Sequence, residues 1–371
     1  MVTVIVLLFM FGVFLAYANG ANDNFKGVAT LFGSKTASYS KALTWASLTT
    51  FTGSALALFF ASKLIVLFKG QGLVLEEIIA LKQFPVAVGL ATATTVMLAT
   101  RFGLPVSTTH ALIGALLGAG LFANPAGVNG TNLASKFFAP LIIGPVASIG
   151  LTIVLYGLLT HLRQVMGIKL DTCLCVGNKV VATDALTFPR LMAEIGDETY
   201  CRESYSGQFL GASVGQTVDG LHYLSAGLVC FARGLNDTPK IAAILMVGQH
   251  FSLQISIIAV TCAMVIGGLL HSKKIADTLG NKLTSMNPGQ ALSANLVTSL
   301  LVLCASKYGL PVSTTHVSCG AIMGIGTVTK QARWGMIGQI LLAWVTTLPM
   351  GTLLGLGAMG LFTLLASHGI L

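Results

Sequence analysis

Two short residue sets, each present twice, carry the chemistry of this chain. The octapeptide Gly103-Leu104-Pro105-Val106-Ser107-Thr108-Thr109-His110 returns letter for letter 206 residues later, at Gly309-Leu310-Pro311-Val312-Ser313-Thr314-Thr315-His316. Asn22-Asp23-x-x-Lys26 returns as Asn236-Asp237-x-x-Lys240. Such repetition marks two copies of one structural unit. Pro followed by Ser-Thr-Thr and an apolar run predicts a helix start, with hydroxyls that cap the first turn and free N–H groups that attract anions. One cap needs one hydroxyl. The runs Ser107-Thr108-Thr109 and Ser313-Thr314-Thr315 therefore predict a site for a compact, partly protonated oxyanion such as phosphate, because hydroxyls both donate and accept.

Asp23 and Asp237 stand within apolar runs, where an unpaired carboxylate costs several kcal/mol. Each needs a cation, and two are open to it. Lys26 and Lys240 lie three residues on, across one helical turn. Alternatively each Asp holds a Na⁺ with the neighbouring Asn22 or Asn236, unwound carbonyls and the Ser107 or Ser313 hydroxyl, all hard oxygen ligands. Anion entry works against an inside-negative potential at about 2.3 kcal/mol per charge per 100 mV, so uptake needs cations to travel along. Two Asn-Asp sites match two Na⁺ per monovalent phosphate. His110 and His316 read as structural groups beside the site, and Arg101 and Lys307 place positive charge at the tips or snorkel to a wet edge. Asp219 and His222 have no counterpart in the first copy and are expected to pair along one helix face.

The elements that must position these groups lie in a bilayer. Of 371 residues, 54% are hydrophobic and 9% charged, against roughly 25% charged in soluble domains. The net charge of +9 is not a nucleic-acid footprint, because its basic residues form no dense patch. An enzyme acting on phosphate esters is disfavoured too, since the tips lack a clear nucleophile–base pair. The first apolar run, Val2 to Phe14, has no basic region before it and reads as a first span, not a cleaved signal. Cys230, Cys262, Cys304 and Cys319 lie in apolar runs and read as core filler, whereas Cys173, Cys175 and Cys201 lie in the one long polar segment. Reduced thiols, not a metal site, are expected there.

These features predict an all-α polytopic membrane protein of two inverted-topology repeats, residues 1–162 and 207–371, joined by a polar cytoplasmic segment, 163–206. Each repeat is expected to hold a helix broken at its Asn-Asp and a re-entrant helical hairpin, at 85–122 and 288–328, with the octapeptide at its tip. The Cys173–Thr183 stretch predicts a small strand pair, and Gly207, Gly211 and Gly215 a small-residue helix stripe. Pro145 and Pro349 predict bends. With three crossings per repeat the second copy is upside down. The N-terminus is then expected outside the cell, because twelve Lys and Arg fall on inner segments against Lys63, Lys69, Lys82 and Lys136 on outer ones.

At these residues the chain resembles the PiT family of inorganic phosphate transporters. The family's Gly-Ala-Asn-Asp signature stands here as Gly20-Ala21-Asn22-Asp23 and, altered, as Gly234-Leu235-Asn236-Asp237; Pro-Val-Ser-Thr-Thr-His is shared in both halves. The resemblance covers nearly the whole chain. It implies a non-enzymatic secondary symporter in the cell (inner or plasma) membrane, homodimeric, without cofactors. Phosphate and coupling ions would bind between the halves at Asn22, Asp23, Ser107, Thr108 and Thr109, with Asn236, Asp237, Ser313, Thr314 and Thr315. Family members use Na⁺ or H⁺, and some carry sulfate. Na⁺ is the first expectation from the Asn-Asp oxygens; Phe25-Lys26 and Pro239-Lys240 depart from the family's small apolar continuation, which keeps H⁺ as the alternative. A passive anion channel is the remaining reading.

Overall fold

A computed structural model describes residues 2–60, 62–169, 172–183, 186–197, 200, 209–247 and 250–369. The first repeat contributes α1 (Val2–Asp23), α2 (Ala29–Gly33), α3 (Tyr39–Phe60), α4 (Ser62–Phe68), α5 (Gln83–Arg101), α6 (Thr108–Ala123) and α7 (Ala139–Val165). Strands β1 (Thr172–Thr183), β2 (Leu186–Asp197) and β3 (Phe209–Ser213) follow. Then come α8 (Val214–Leu245), α9 (Leu253–His271), α10 (Lys273–Asp277), α11 (Pro288–Tyr308), α12 (Thr314–Thr329) and α13 (Trp334–Ser367). Among the described residues seven helical stretches are long and apolar enough to span a bilayer. Their outward faces carry Ile142, Ile143 and Val146 on α7 and Leu342, Val345 and Leu353 on α13, all exposed. Such a surface is stable only against hydrocarbon. The chain is an integral membrane protein.

Local chemistry sets the helix ends. Ser213 and Gln216 form a capping box that opens α8, and Asn287 and Gln290 form another at α11, with Pro288 in its first turn. Ser107 and Ser313 cap α6 and α12 by accepting the backbone N–H of His110 and His316. Gly103 and Gly309 follow α5 and α11 with φ of 72° and 71°, a left-handed conformation that favours glycine and turns the chain into each tip. Each tip thus joins two helices, α5 to α6 and α11 to α12.

Several expectations change, although the expected break in the first copy is present. The helix of the first copy is interrupted after Asp23, where residues 24–28 make turns closed by Lys26 N–H to Asp23 O (3.1 Å) and Val28 N–H to Phe25 O (3.1 Å). In the second copy α8 runs through Asn236-Asp237 without unwinding. Gly27 in the first copy is replaced there by Ile241, and Pro239 holds a φ that suits a helix. The polar segment forms a three-stranded antiparallel sheet, order β2-β1-β3, in which Thr172–Thr183 is a single strand and not a pair. Gly211 lies in β3, so no glycine stripe continues into α8; Gly207 lies outside the described residues, as do Cys201 and Arg202. Cys230 and Cys319 are buried, but Cys262 and Cys304 are exposed, because a thiol is tolerated against lipid. The helices α7 and α13 continue through Pro145 and Pro349.

The copies interlock by reciprocal contacts. The helix α1 packs on α9 and its counterpart α8 on α3; α6 packs on α13 and its counterpart α12 on α7. A Cβ on Gly20 would lie 1.9 Å from Met264 O, and one on the equivalent Gly234 2.4 Å from Thr50 O. The same holds for Gly267 against Tyr17 O (2.0 Å) and Gly53 against Phe231 O (2.0 Å). In each pair the residue of one copy meets the partner's equivalent, the pattern of a two-fold relation. Backbones approach this closely only where side chains are absent.

Candidate functional site

The close helix contacts bring both hairpin tips and both Asn-Asp pairs to one buried place. Each Asn braces its own tip. Asn22 Nδ2 donates to Thr100 Oγ1 (2.8 Å) and Leu104 O (3.1 Å), and Asn22 Oδ1 accepts the Val106 N–H (3.1 Å). Asn236 Nδ2 likewise donates to Ser306 Oγ (2.8 Å), the counterpart of Thr100. Each Asp accepts from the second residue of its own hydroxyl run: Thr108 Oγ1 to Asp23 Oδ2 at 3.2 Å, Thr314 Oγ1 to Asp237 Oδ2 at 3.3 Å.

The lysines close the figure. Lys26 Nζ donates to Asp23 Oδ1, to Val106 O (2.8 Å) and to Thr315 Oγ1 of the opposite hairpin (2.6 Å). Lys240 Nζ donates to Asp237 Oδ1 (3.1 Å), Asn236 Oδ1, Val312 O (2.8 Å) and Thr109 Oγ1 of the opposite hairpin (3.0 Å). Thr315 in turn donates to Val106 O (2.9 Å) and Thr109 to Val312 O (3.4 Å). Of the two partners open to each aspartate, its own lysine holds the place here. Asp23, Lys26, Asp237 and Lys240 are all at most 3% exposed, so these are buried ion pairs with their remaining lone pairs and protons satisfied.

Sequence reasoning missed Arg233 and Asn19. They occupy the same position of the two copies, three residues before each Asn-Asp, and they bond each other: Arg233 Nη1 donates to Asn19 Oδ1 at 3.3 Å. Asn19 Nδ2 passes the contact on to Asp23 Oδ2 (2.9 Å) and Thr108 Oγ1 (2.9 Å). Arg233 Nη2 donates to Asn24 Oδ1 and Thr50 Oγ1, each at 3.0 Å, and its Nε has no partner among the described residues. The signal available was positional, a basic residue in one copy where the other has an amide.

The histidines pin the tips from behind. The His110 and His316 rings are 4.4 Å apart, His316 stacks on Trp344 at 3.9 Å, and Trp344 Nε1 donates to Pro105 O (3.1 Å). Asp219 and His222 do not pair. Asp219 is exposed, whereas buried His222 reaches Thr30 Oγ1 (3.1 Å) on α2 and Thr36 Oγ1 (3.5 Å). Arg101 and Lys307 sit at the ends of the first hairpin arms and are exposed.

A cavity of about 920 Å³ leads towards the site. Thr100, the partner of Asn22, lines it, and Arg101, Lys273 and Lys274 outnumber Asp277 among its charges. Lys274 Nζ donates to Arg101 O and Thr278 Oγ1 to Gly103 O, each at 2.8 Å, which ties the first tip to α10 and the turn after it. The buried formal charges at the tips and one residue behind them are two negative (Asp23, Asp237) and three positive (Lys26, Lys240 and, through Asn19, Arg233). One monovalent oxyanion brings that sum to zero.

The chain is similar to several known proteins. A "Probable low-affinity inorganic phosphate transporter" from Rhizobium meliloti (strain 1021) is 27% identical over 355 residues, covering 92% of this chain and 91% of that protein. "Inorganic phosphate transporter 2-1, chloroplastic" from Arabidopsis thaliana is 24% identical, covering 96% and 72%. A solved structure titled "The sodium-dependent phosphate transporter" superposes with a TM-score of 0.75 over 98% of this chain and 99% of that one, at 19% identity, and so shares the fold. The sequence model of the phosphate transporter family matches residues 19–355, and the chain therefore belongs to that family.

Proposed function

We propose that the protein is a secondary carrier that imports inorganic phosphate by alternating access, with the anion held where the two tips converge. The observation that supports it most is reciprocal bonding: each lysine spans from its own Asn-Asp pair to the opposite hairpin's hydroxyl run. Phosphate would take donors from both copies, Lys26, Thr108 and Thr109 with Lys240, Thr314 and Thr315, while Asn22, Asn236, Ser107 and Ser313 shape the tips. In this reading residues 1–162 and 207–371 are inverted repeats with re-entrant hairpins. The N-terminus lies outside, residues 163–206 are cytoplasmic, and the carrier works in the cell membrane as the homodimer its resemblance implies. The large basic-rimmed cavity beside Lys273 and Lys274 is then the cytoplasmic vestibule.

Import needs a coupling cation. Na⁺ was the first expectation, from the hard oxygens around Asp23 and Asp237. The ammonium groups found among those oxygens favour H⁺. Two unit charges 4 Å apart at an effective dielectric of 20 repel by about 4 kcal/mol, which weighs against a Na⁺ entering beside a resident ammonium. The anion instead competes with Asp23 for Lys26, and the site so vacated beside Asp23 is where a proton that travels with the substrate would be held. The charges acting on Asp23 are Lys26, bonded to it, with Arg233 on α8 and Asp237 of the second copy farther off.

The test is labelled-phosphate uptake into liposomes with the Na⁺ and pH gradients set independently. Concentrative uptake driven by a gradient is expected. Mere equilibration would make the protein a channel, and uptake outcompeted by equimolar sulfate would change the substrate.

A further inference from the structure

We propose that Lys26 and Lys240 are tethered substitutes for transported metal cations, so that phosphate movement by this chain is independent of Na⁺. The inference rests on the phosphate-carrier reading. Each ammonium nitrogen sits in an oxygen shell of the kind a hard alkali ion takes. For Lys26 the shell is a carboxylate oxygen, a main-chain carbonyl at 2.8 Å and a hydroxyl at 2.6 Å. For Lys240 it is a carboxylate oxygen at 3.1 Å, an amide oxygen, a carbonyl at 2.8 Å and a hydroxyl at 3.0 Å, with the Phe68 ring centroid 5.7 Å away. Three N–H groups saturate the first shell, and the second shares three among four acceptors.

The same construction occurs in both copies, from unrelated flanking residues, Asn24-Phe25 and Thr238-Pro239. Chance filling of a cavity by a long side chain would not reproduce the own-hairpin carbonyl and the opposite-hairpin hydroxyl twice. A covalently held cation supplies the positive charge that a dissolved one would, but it does not leave with the anion. It lowers the charge cost of binding without adding to the charge carried. The positions of Lys26 and Lys240 thus determine which gradient the carrier can use, and they take the roles of two ions per cycle.

The experiment uses the full chain, purified and in proteoliposomes. With a fixed pH gradient, wild-type phosphate uptake is expected to change by less than about twofold when Na⁺ is replaced by choline. Thermal unfolding of the wild type with inorganic phosphate present is expected to be the same in NaCl and choline chloride, whereas Lys26→Ala and Lys240→Ala, which free the oxygen shells, should be stabilised specifically by Na⁺ and should show Na⁺-stimulated uptake of roughly tenfold. Uptake by the wild type that requires Na⁺, or Na⁺-specific stabilisation of the wild type, would overturn the proposal. Folded alanine variants that respond equally to Na⁺ and choline would do the same. If a variant does not fold, the wild-type comparison alone decides. If the wild type takes up no phosphate under any gradient, the carrier reading fails, and the unfolding comparison still decides whether Na⁺ binds.

Discussion

Arg233 holds a buried charge without a carboxylate in contact among the described residues, and a charge so placed calls for an anion. Its guanidinium reaches the site through Asn19, which touches both Asp23 and Thr108. Arg233→Gln keeps the hydrogen-bonding length but removes the charge. We expect its KM for phosphate to rise roughly thirtyfold, the equivalent of about 2 kcal/mol for a charged hydrogen-bond network, with partial recovery in Arg233→Lys. An unchanged KM beside a lowered Tm would show a packing role only. A second residue bears on proton coupling. Asp277, at the vestibule rim, is held below the usual carboxylate range by hydrogen bonds from Asn281 (3.0 Å) and Lys282 (2.7 Å). A depressed folded-state pKa gives a contribution present above the unfolded value and lost only as pH falls through the folded one. Asp277 therefore stays ionised between about pH 5 and 8. The shape of the pH profile of uptake over that range should be the same in Asp277→Asn, measured by initial rates at saturating phosphate; a shifted profile would place a titrating role at this rim.

Among the elements, the glycine contacts between α1 and α9 and between α3 and α8 set how closely the copies interlock. A methyl at Gly20 or Gly234 meets main-chain oxygen at 1.9 or 2.4 Å, and backbone cannot step aside as a flexible side chain does. Gly20→Ala and Gly234→Ala are expected to cost about 3 kcal/mol or more of stability, read as a lowered Tm in detergent, while Gly157→Ala, with nothing within 4 Å, should not. Equal melting of all three would refute the close approach. This layer also shows how far the sequence reaches. The hairpin arms, their serine caps and the grouping of Asn-Asp with the hydroxyl runs were legible, because cap chemistry and burial of an acid are local facts. The unbroken α8 was not, since a proline after Asn-Asp suits either a break or a helix and packing decides. The bond from Lys26 to Thr315, 289 residues away, was illegible too, because it depends on reciprocal helix contacts, and Arg233 was hidden by having an amide at its repeat-equivalent. The sheet that Phe209–Ser213 extends depends on a pairing with β1 that no short-range signal marks.

For the whole molecule, a carrier built of two inverted repeats, as we propose, need not be symmetric at any instant, and its asymmetry states which way it faces. Thr100 and Ser306 are equivalent, each accepting from the Asn of its own copy at 2.8 Å, yet Thr100 lines the large cavity whose rim carries Lys273 and Lys274. A carrier that works by exchanging the roles of its halves must open the Ser306 side when the Thr100 side closes, with the tie from Lys274 to the Arg101 carbonyl remade in turn. In a cysteine-free background, Thr100→Cys is expected to react with a membrane-impermeant thiol reagent from the cytoplasmic side, with Ser306→Cys protected. Under conditions that favour the outward state, Ser306→Cys should become reactive from outside and Thr100→Cys should be shielded. The ratio of the two labelling rates should move by roughly tenfold or more between conditions, because a shift from mostly one state to mostly the other multiplies each open fraction by that order. Phosphate should slow both reactions if it binds where we propose, between the tips. Side-specific labelling of oriented vesicles, read by mass spectrometry, measures all four rates. Simultaneous reactivity of both cysteines from opposite sides would describe a continuous pore, and a ratio that never moves would describe a fixed cavity rather than a gate.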